Sequence, residues 1–423
     1  LLPQPSFFFV VYPTDLTPNM TAHTPTSPAL PPPDVRPTPA NWVKQNLLTP
    51  WYNAAITFII GGGFLWFAYG FLVWVFTQAQ WEVIPANLAI FTAGRYPDEQ
   101  YWRLWVAVGI IVTLAGISWG VVARNVTLFS RNVLIGLGIA AHICFVLPIP
   151  VLPWRLLVVA MLDLLIATAW IGQQLGKKVP QLGQYTTFAW LGSFFVYLWL
   201  IGGNLGLEPV KTNEWGGVVL TVLMAVISIA ICFPFGVTMA LGRQSDLPVV
   251  RLFSVLYIEV IRGIPLIAIL FMGQVIIPLF LPEGMRPDRV LRAIVGLTLF
   301  SSAYLAENVR GGLQSIPKGQ EEAAKALGLN PPLTVSLIVL PQALKAVIPA
   351  IVGQFISLFQ DTTLLSIVGL EELLGMSRSI LANPNFIGRY SEVYLFVGLL
   401  YWIFCYAMSL GSRYVEKKLN TGH

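Results

Sequence analysis

Charge is what this sequence has least of. Asp, Glu, Lys and Arg make up 11% of its 423 residues, against roughly a quarter in a water-soluble domain. So few charges cannot clothe the two or three soluble domains that the length would otherwise allow, and most of the surface must face lipid. The 25 basic and 20 acidic residues leave +5, too small and too dispersed for the clustered basic face that binds nucleic acid. Histidine and cysteine are equally sparse, at three each. Cys144, Cys232 and Cys405 lie far apart inside apolar runs, make no metal-ligand spacing and read as small buried hydrophobes. His142 stands alone in an apolar run and lacks the further ligands a metal needs. No Gly-x-x-x-x-Gly-Lys-[Ser/Thr] loop occurs, so the chain does not itself cradle ATP.

What is abundant is apolar. Hydrophobic residues reach 56%, with 14 Trp and 25 Phe. The exception is the beginning, where 11 prolines precede Ala40. A segment of that composition cannot bury enough apolar area to offset its ordering entropy, so 1–40 is expected to be disordered. The Phe7–Val11 run inside it is too short to span and has no basic flank, so no signal peptide is read there. Residues 41–50 carry a short amphipathic pattern with Trp42, expected to lie as a helix on the membrane surface. Ten runs then approach the length of about 20 residues that a crossing needs: 54–76, 103–123, 132–149, 154–173 and 186–203, then 216–242, 264–282, 292–309, 343–360 and 393–412. The semi-apolar stretch 250–263 holds Arg251, Glu259 and Arg262 and reads as a lead-in helix to the seventh span. Lys and Arg collect in alternate short loops, at Arg124 and Arg131, Lys177 and Lys178, Arg243 and Arg251, and Arg310, Lys318 and Lys325. That bias puts those loops, and both termini, in the cytoplasm.

The segment between the eighth and ninth spans is more than a connection, which five residues could make. Pro317 suits the first position of a helix, where its missing N–H costs nothing. Glu321 and Glu322 follow in the first turns, favoured by the helix dipole. Ala323, Ala324 and Ala326 build a thin, strongly helical rod, and Gly328 ends it. Asn330-Pro331 then caps a second helix, which Pro341 is expected to interrupt on re-entry to the membrane. A rigid helix pair presented to the cytosol is the shape of a docking element.

The spacing Glu322-Ala323-Ala324, Gly328, Ile338, Leu340-Pro341 resembles the EAA motif of ABC importer permeases without departure. The resemblance extends over about 215–418, through Trp215-Gly216-Gly217, Tyr257–Pro265, Tyr304–Glu307, Arg310-Gly311-Gly312 and Ser357–Leu364. Together these look like the polar-amino-acid subfamily, the relatives of histidine, glutamine and general L-amino-acid permeases. Two of these motifs depart from it. Ile264 replaces Thr in Arg-Gly-Thr-Pro, and Gln360-Asp361-Thr362-Thr363 replaces Lys-Asp-Thr-Ser, which removes a cation beside Asp361. The resemblance implies an all-α polytopic membrane protein of about ten transmembrane helices. Its C-terminal five, within 211–423, would form a type I (MetI-like) permease core with coupling helices near 315–341, and 51–210 would be an additional five-span region. It further implies a bacterial cytoplasmic (inner) membrane subunit, not itself catalytic. The implied partners are a second, unequal permease, two copies of an ABC ATPase that hold ATP and Mg, and a separate periplasmic amino-acid-binding protein.

Docking to the ATPase would fall to Glu321, Glu322, Ala323, Ala324, Gly328, Leu340 and Pro341. For the substrate path, polar residues at membrane depth are candidates by default. Gln354 and Asp361 are seven apart and share a face if their helix is unbroken. Asp361 would offer a carboxylate to an ammonium group, and Thr362 and Thr363 hydroxyls to a carboxylate; alternatively the three cap a helix. Glu259 and Arg262, three apart, could pair as a gate or structural element, with Gln274 and Glu307 as further core candidates. Asp163 is expected to bond a neighbouring helix, and Gly61-Gly62-Gly63 to mark close helix packing. The rival reading, a secondary transporter or channel for small polar solutes, expects repeated halves, and the first five spans hold no second EAA-type loop.

Overall fold

The computed structural model describes residues 38–124, 128, 130–146, 152–179 and 181–420; nearly all of the Pro-rich segment expected at 1–40 lies outside them. Each apolar run becomes a helix. The first half holds Trp51–Val73 (α1), Tyr101–Val122 (α2), Arg131–Val146 (α3), Leu152–Lys178 (α4) and Leu182–Gly202 (α5). The second holds Gly217–Arg243 (α6), Pro248–Gly263 (α7), Leu266–Phe280 (α8) and Arg289–Ser315 (α9). Lys318–Ala326 (α10), Leu340–Asp361 (α11), Leu373–Leu381 (α12) and Tyr390–Asn420 (α13) complete it. Among the described residues eight helical segments are long and apolar enough to cross a membrane, or nine if the α7–α8 pair, bent by 103°, is taken as one span. At the expected third span, α3 shows 16 residues. The all-α, polytopic architecture stands.

Prolines explain the breaks. Pro265 disfavours the helical conformation at Ile264, which is extended at φ −104° and ψ 132°, and α7 and α8 part there. Pro234 and Pro349 stand inside α6 and α11 without a break, and at two further prolines the helix survives by widening just before them. π-turns over Met272–Ile276 and Val335–Val339 precede Pro278 and Pro341, where an N–H is missing from the ladder. The expected interruption at Pro341 is therefore absent, and one helical path runs over Pro331–Ser366.

The chain forms two compact units, one ending at Gln78 and one starting at Ala79. In the first, helices over Pro39–Val43 and Lys44–Leu48 precede α1. No residue of α1 is buried, and Gly61, Gly62 and Gly63 face open space where a Cβ would stand. The packing expected of that triplet is not found within its unit.

In the second unit, residues on both sides of the boundary expected at 210/211 pack together. Tyr96, Ile201 and Val210 share one buried cluster with Leu220, Leu297 and Leu365. The Trp215-Gly216-Gly217 turn shows why. A Cβ on Gly216 would stand 2.9 Å from the Gly94 Cα, and one on Gly217, at φ +58°, 2.3 Å from the Phe91 carbonyl oxygen. The Leu88–Ala93 helix thus crosses the start of the core backbone to backbone, which only glycine permits. Within the core, α9 is the central helix. Its small residues Ser301, Ser302, Ala303 and Ala306 are fully buried, against α6 and α11. Asp163, expected to bond a neighbouring helix, is exposed on α4 and makes no hydrogen bond or ion pair among the described residues.

Candidate functional site

The EAA segment folds as two helices joined by a tight turn. Pro317 is the residue before α10, at φ −59° and ψ 135°, one place earlier than expected. At the other end, the Leu329 N–H donates to the Ala324 carbonyl at 3.1 Å and the Gly328 N–H to that of Lys325 at 2.9 Å. This is a Schellman closure, which needs a residue at positive φ; Gly328 has φ +81°. Asn330 then accepts from the Leu333 N–H at 3.0 Å and starts the next helix at Pro331. Ala324 is buried at 3%, while Glu321, Glu322, Ala323 and Gly328 are exposed. Leu327 is 82% exposed, an apolar knob at the tip. Leu340 packs against the core, Pro341 is exposed, and the Gln342 side chain reaches back to Gln320 at 3.2 Å, bracing the pair.

Beside it lies a charge cluster centred on Glu307. Arg310 pairs with one carboxylate oxygen through Nη2 and, at 3.0 Å, through Nε. Arg243 and Arg262 approach the other oxygen at 3.5 and 3.7 Å. Glu259 pairs with Arg243 at 2.9 Å, not with Arg262 as its spacing suggested, because α6 ends beside it and offers a closer guanidinium. Arg262 lies over the Tyr304 ring at 5.4 Å. Three cations and two anions therefore join α6, α7 and α9 near the EAA pair.

The remaining candidates lie toward the other, distal end. The helix is continuous from Gln354 through Asp361, so the two share a face, about 10 Å apart along the axis. Asp361 is the last residue of α11, at the end of the span rather than its middle. Its side chain caps nothing. The Thr362 and Thr363 hydroxyls donate to the carbonyls of Phe359 at 2.6 Å and Gln360 at 2.9 Å. Their protons are thus unavailable to a substrate carboxylate, and Asp361 alone of the trio has no bond among the described residues. Gln274, on the α8 π-turn, donates to the Arg289 carbonyl at 2.6 Å.

Two features escaped sequence reading. Glu372, taken as part of an acid-leaning loop, is fully buried. It caps α12 by accepting from the N–H groups of Leu374 at 2.8 Å and Gly375 at 2.9 Å. Burial pushes its carboxyl up to about 7. Arg292, near the start of α9, donates Nη1 to the Gln274 carbonyl at 2.7 Å; an Arg inside an apolar run was the signal for it. An open cleft of about 940 Å³ lies near the distal end, lined among others by Arg95, Lys211, Thr212, Asp288, Arg289 and Glu371.

Residues 232–421 match the family described as "Binding-protein-dependent transport system inner membrane component". Over 90% of its length the chain is 37% identical to the inner membrane amino-acid ABC transporter permease protein YhdY of Escherichia coli (strain K12), covering 93% of that protein. It is similar, at 37% identity over 82% of its length and 80% of the relative, to the glutamate/glutamine/aspartate/asparagine transport system permease protein BztC of Rhodobacter capsulatus. A probable glutamine ABC transporter permease protein GlnP of Bacillus subtilis (strain 168) aligns at 37% identity with 48% of the chain and 91% of itself.

Proposed function

The chain belongs to the family of inner-membrane components of binding-protein-dependent transport systems, and from that premise we propose how its parts work. It is a permease subunit of an amino-acid ABC importer, not itself catalytic, and serves with an ATPase and a substrate-binding protein. In our reading it forms one half of a heterodimer with a second permease, and two ATPase copies bind the ATP and Mg. Both termini face the cytoplasm.

The observation that carries the coupling role is the α10 turn. Its backbone is closed by the Gly328 Schellman bonds, its base is held by buried Ala324, and its tip projects Leu327. A rigid element with an exposed apolar tip flanked by Glu321, Glu322 and Ala323 is what a cleft in an ATPase can grip and push. Leu340 and Pro341, at the start of α11, carry that push into the helix that ends at Asp361. The cluster of Glu259, Arg262, Arg243 and Glu307 is a tie between α6, α7 and α9 that moves with it. Gln354 and Asp361 line the substrate path, Asp361 offering the acceptor for an ammonium group. An amino acid crossing there must have its charges paired, since an unpaired ion in a dry site is prohibitive. Gln354 is neutral and adds no selection for a cationic side chain, which favours neutral or acidic amino acids.

The test is uptake by proteoliposomes. The complete complex with its binding protein should take up amino acids only with ATP inside the ATPase compartment, and the chain without ATPase should take up none. Uptake by the chain alone, driven by an ion gradient, would revive the secondary-transporter reading.

A further inference from the structure

Arg292 lies one turn inside α9, within a helix apolar enough to cross the membrane. A guanidinium keeps its charge at any pH a cell reaches, and at membrane depth it is paired or faces a polar path. Arg292 is half-buried and has no carboxylate within ion-pair distance among the described residues. Its one hydrogen bond runs from Nη1 to the Gln274 carbonyl, and its Nε is shut off from solvent without a partner. Of the nearby charges Arg289 and Arg286 repel it, and Asp288 attracts it from beyond ion-pair distance. Asp288 already accepts from the Val290 N–H at 2.8 Å and the Thr212 hydroxyl at 2.5 Å.

Gln274 shows the complementary lack. It is 8% exposed, its Nε2 is engaged by the Arg289 carbonyl, and its Oε1 is buried without a partner. The π-turn over Met272–Ile276 brings it against α9; such insertions recur at functional sites. Two contacting residues thus hold a donor and an acceptor that the protein leaves unsatisfied, an arrangement that is costly unless something else fills it. The Nε–Nη2 edge of a guanidinium, here unbonded but with Nε covered, takes a carboxylate with two parallel bonds once opened to it. An amide oxygen accepts from an ammonium group.

We propose that Arg292 and Gln274 form a subsite at the distal end of the core for an α-amino acid, with a substrate carboxylate on the guanidinium and Gln274 Oε1 accepting a further substrate N–H, the ammonium's charge being left to Asp361. This rests on the importer reading above. It places the carboxylate partner of the path on α9, where the Thr362 and Thr363 hydroxyls cannot serve.

The test is ATP-driven uptake by the complete reconstituted complex from an equimolar mixture of the twenty amino acids at limiting concentration, read by the composition inside the vesicles. Arg292→Gln should lower uptake about ten- to a hundredfold, and Arg292→Lys, which keeps the charge but not the fork, should fall between. A loss across all amino acids assigns the α-carboxylate, and a loss confined to glutamate and aspartate assigns the side-chain carboxylate. Gln274→Leu should lower uptake in the same pattern. Wild-type uptake matched by Arg292→Gln overturns the subsite alone. A parallel loss of assembled complex in both Arg292 variants overturns it too, and would mean that Arg292 pairs with a carboxylate of another subunit. No uptake of any amino acid by wild type overturns the importer reading and this one with it.

Discussion

The Tyr401 hydroxyl donates to Glu372 Oε2 at 2.9 Å, joining the start of α12 to the last span, α13. The same carboxylate caps α12 through two backbone N–H groups and is fully buried. A carboxylate in that position holds the start of α12 to the α13 span, and its ionisation is opposed by burial.

The pH dependence follows from the direction of that shift. The Glu372 carboxyl rises from its ordinary value of 4.5 to about 7 in the folded protein. Between those values the folded state binds more protons than the unfolded state, so this group's contribution to stability is full below 4.5 and is lost as pH rises toward 7. The whole effect is no more than about 3 kcal/mol. Thermal unfolding of the purified complex between pH 4.5 and 8 should show a falling arm that Glu372→Gln flattens. An unchanged arm in that variant would mean that the carboxyl is ionised throughout.

Glu307 and Glu259 should differ sharply on neutralisation. Glu307→Gln leaves Arg243, Arg262 and Arg310 without their common anion, in side chains only 23 to 33% exposed. The expected destabilisation is about 1–3 kcal/mol, discounted from the range for fully buried pairs because solvent screens part of it. Glu259, with its side chain 54% exposed, should change stability by well under 1 kcal/mol on Glu259→Gln. Unfolding midpoints of the two variants, compared side by side, check the ranking.

Asp361→Asn keeps the shape and removes the charge. Losing a charge-assisted bond of about 1.5–3 kcal/mol should weaken uptake at limiting substrate about ten- to a hundredfold. Assembly and ATP hydrolysis by the complex are measured alongside. Wild-type uptake by this variant would remove Asp361 from the path, and because its side chain caps nothing no structural role would replace it.

What could be read before the fold was known divides along a physical line. Spans and the α10 turn are local. Twenty apolar residues, or a glycine after an alanine rod, specify their conformation within a few positions, whereas a proline does not: Leu340 ahead of Pro341 stays helical. The partners of charged and small residues are not local. Glu259 and Arg262 are three apart, as an ion pair on one helix would be, yet the end of α6 supplies Arg243 to the first and α9 supplies Glu307 to the second. Glu371 and Glu372 look alike in sequence. One meets Arg95 at 2.7 Å in a partly exposed pair, and the other is sealed beneath α12. Gly216 and Gly217 belonged to a legible motif, but their purpose, a crossing with the Leu88–Ala93 helix, depends on a segment more than a hundred residues away.

The account turns on the α10 turn acting as the coupling element, and Gly328 tests it most directly. Its φ of +81° is strained for any side chain, whereas the space around its Cβ is open. Within the chain a substitution there therefore acts through the backbone. Gly328→Val should cost about 1–3 kcal/mol locally or displace the second helix, while Gly328→Asn, which tolerates positive φ, should be mild. The measurement is ATP hydrolysis by the reconstituted complex with and without loaded binding protein. The account predicts that Gly328→Val leaves the permease in the membrane but loses most of the stimulation, with Gly328→Asn close to wild type. Full stimulation in Gly328→Val would contradict it.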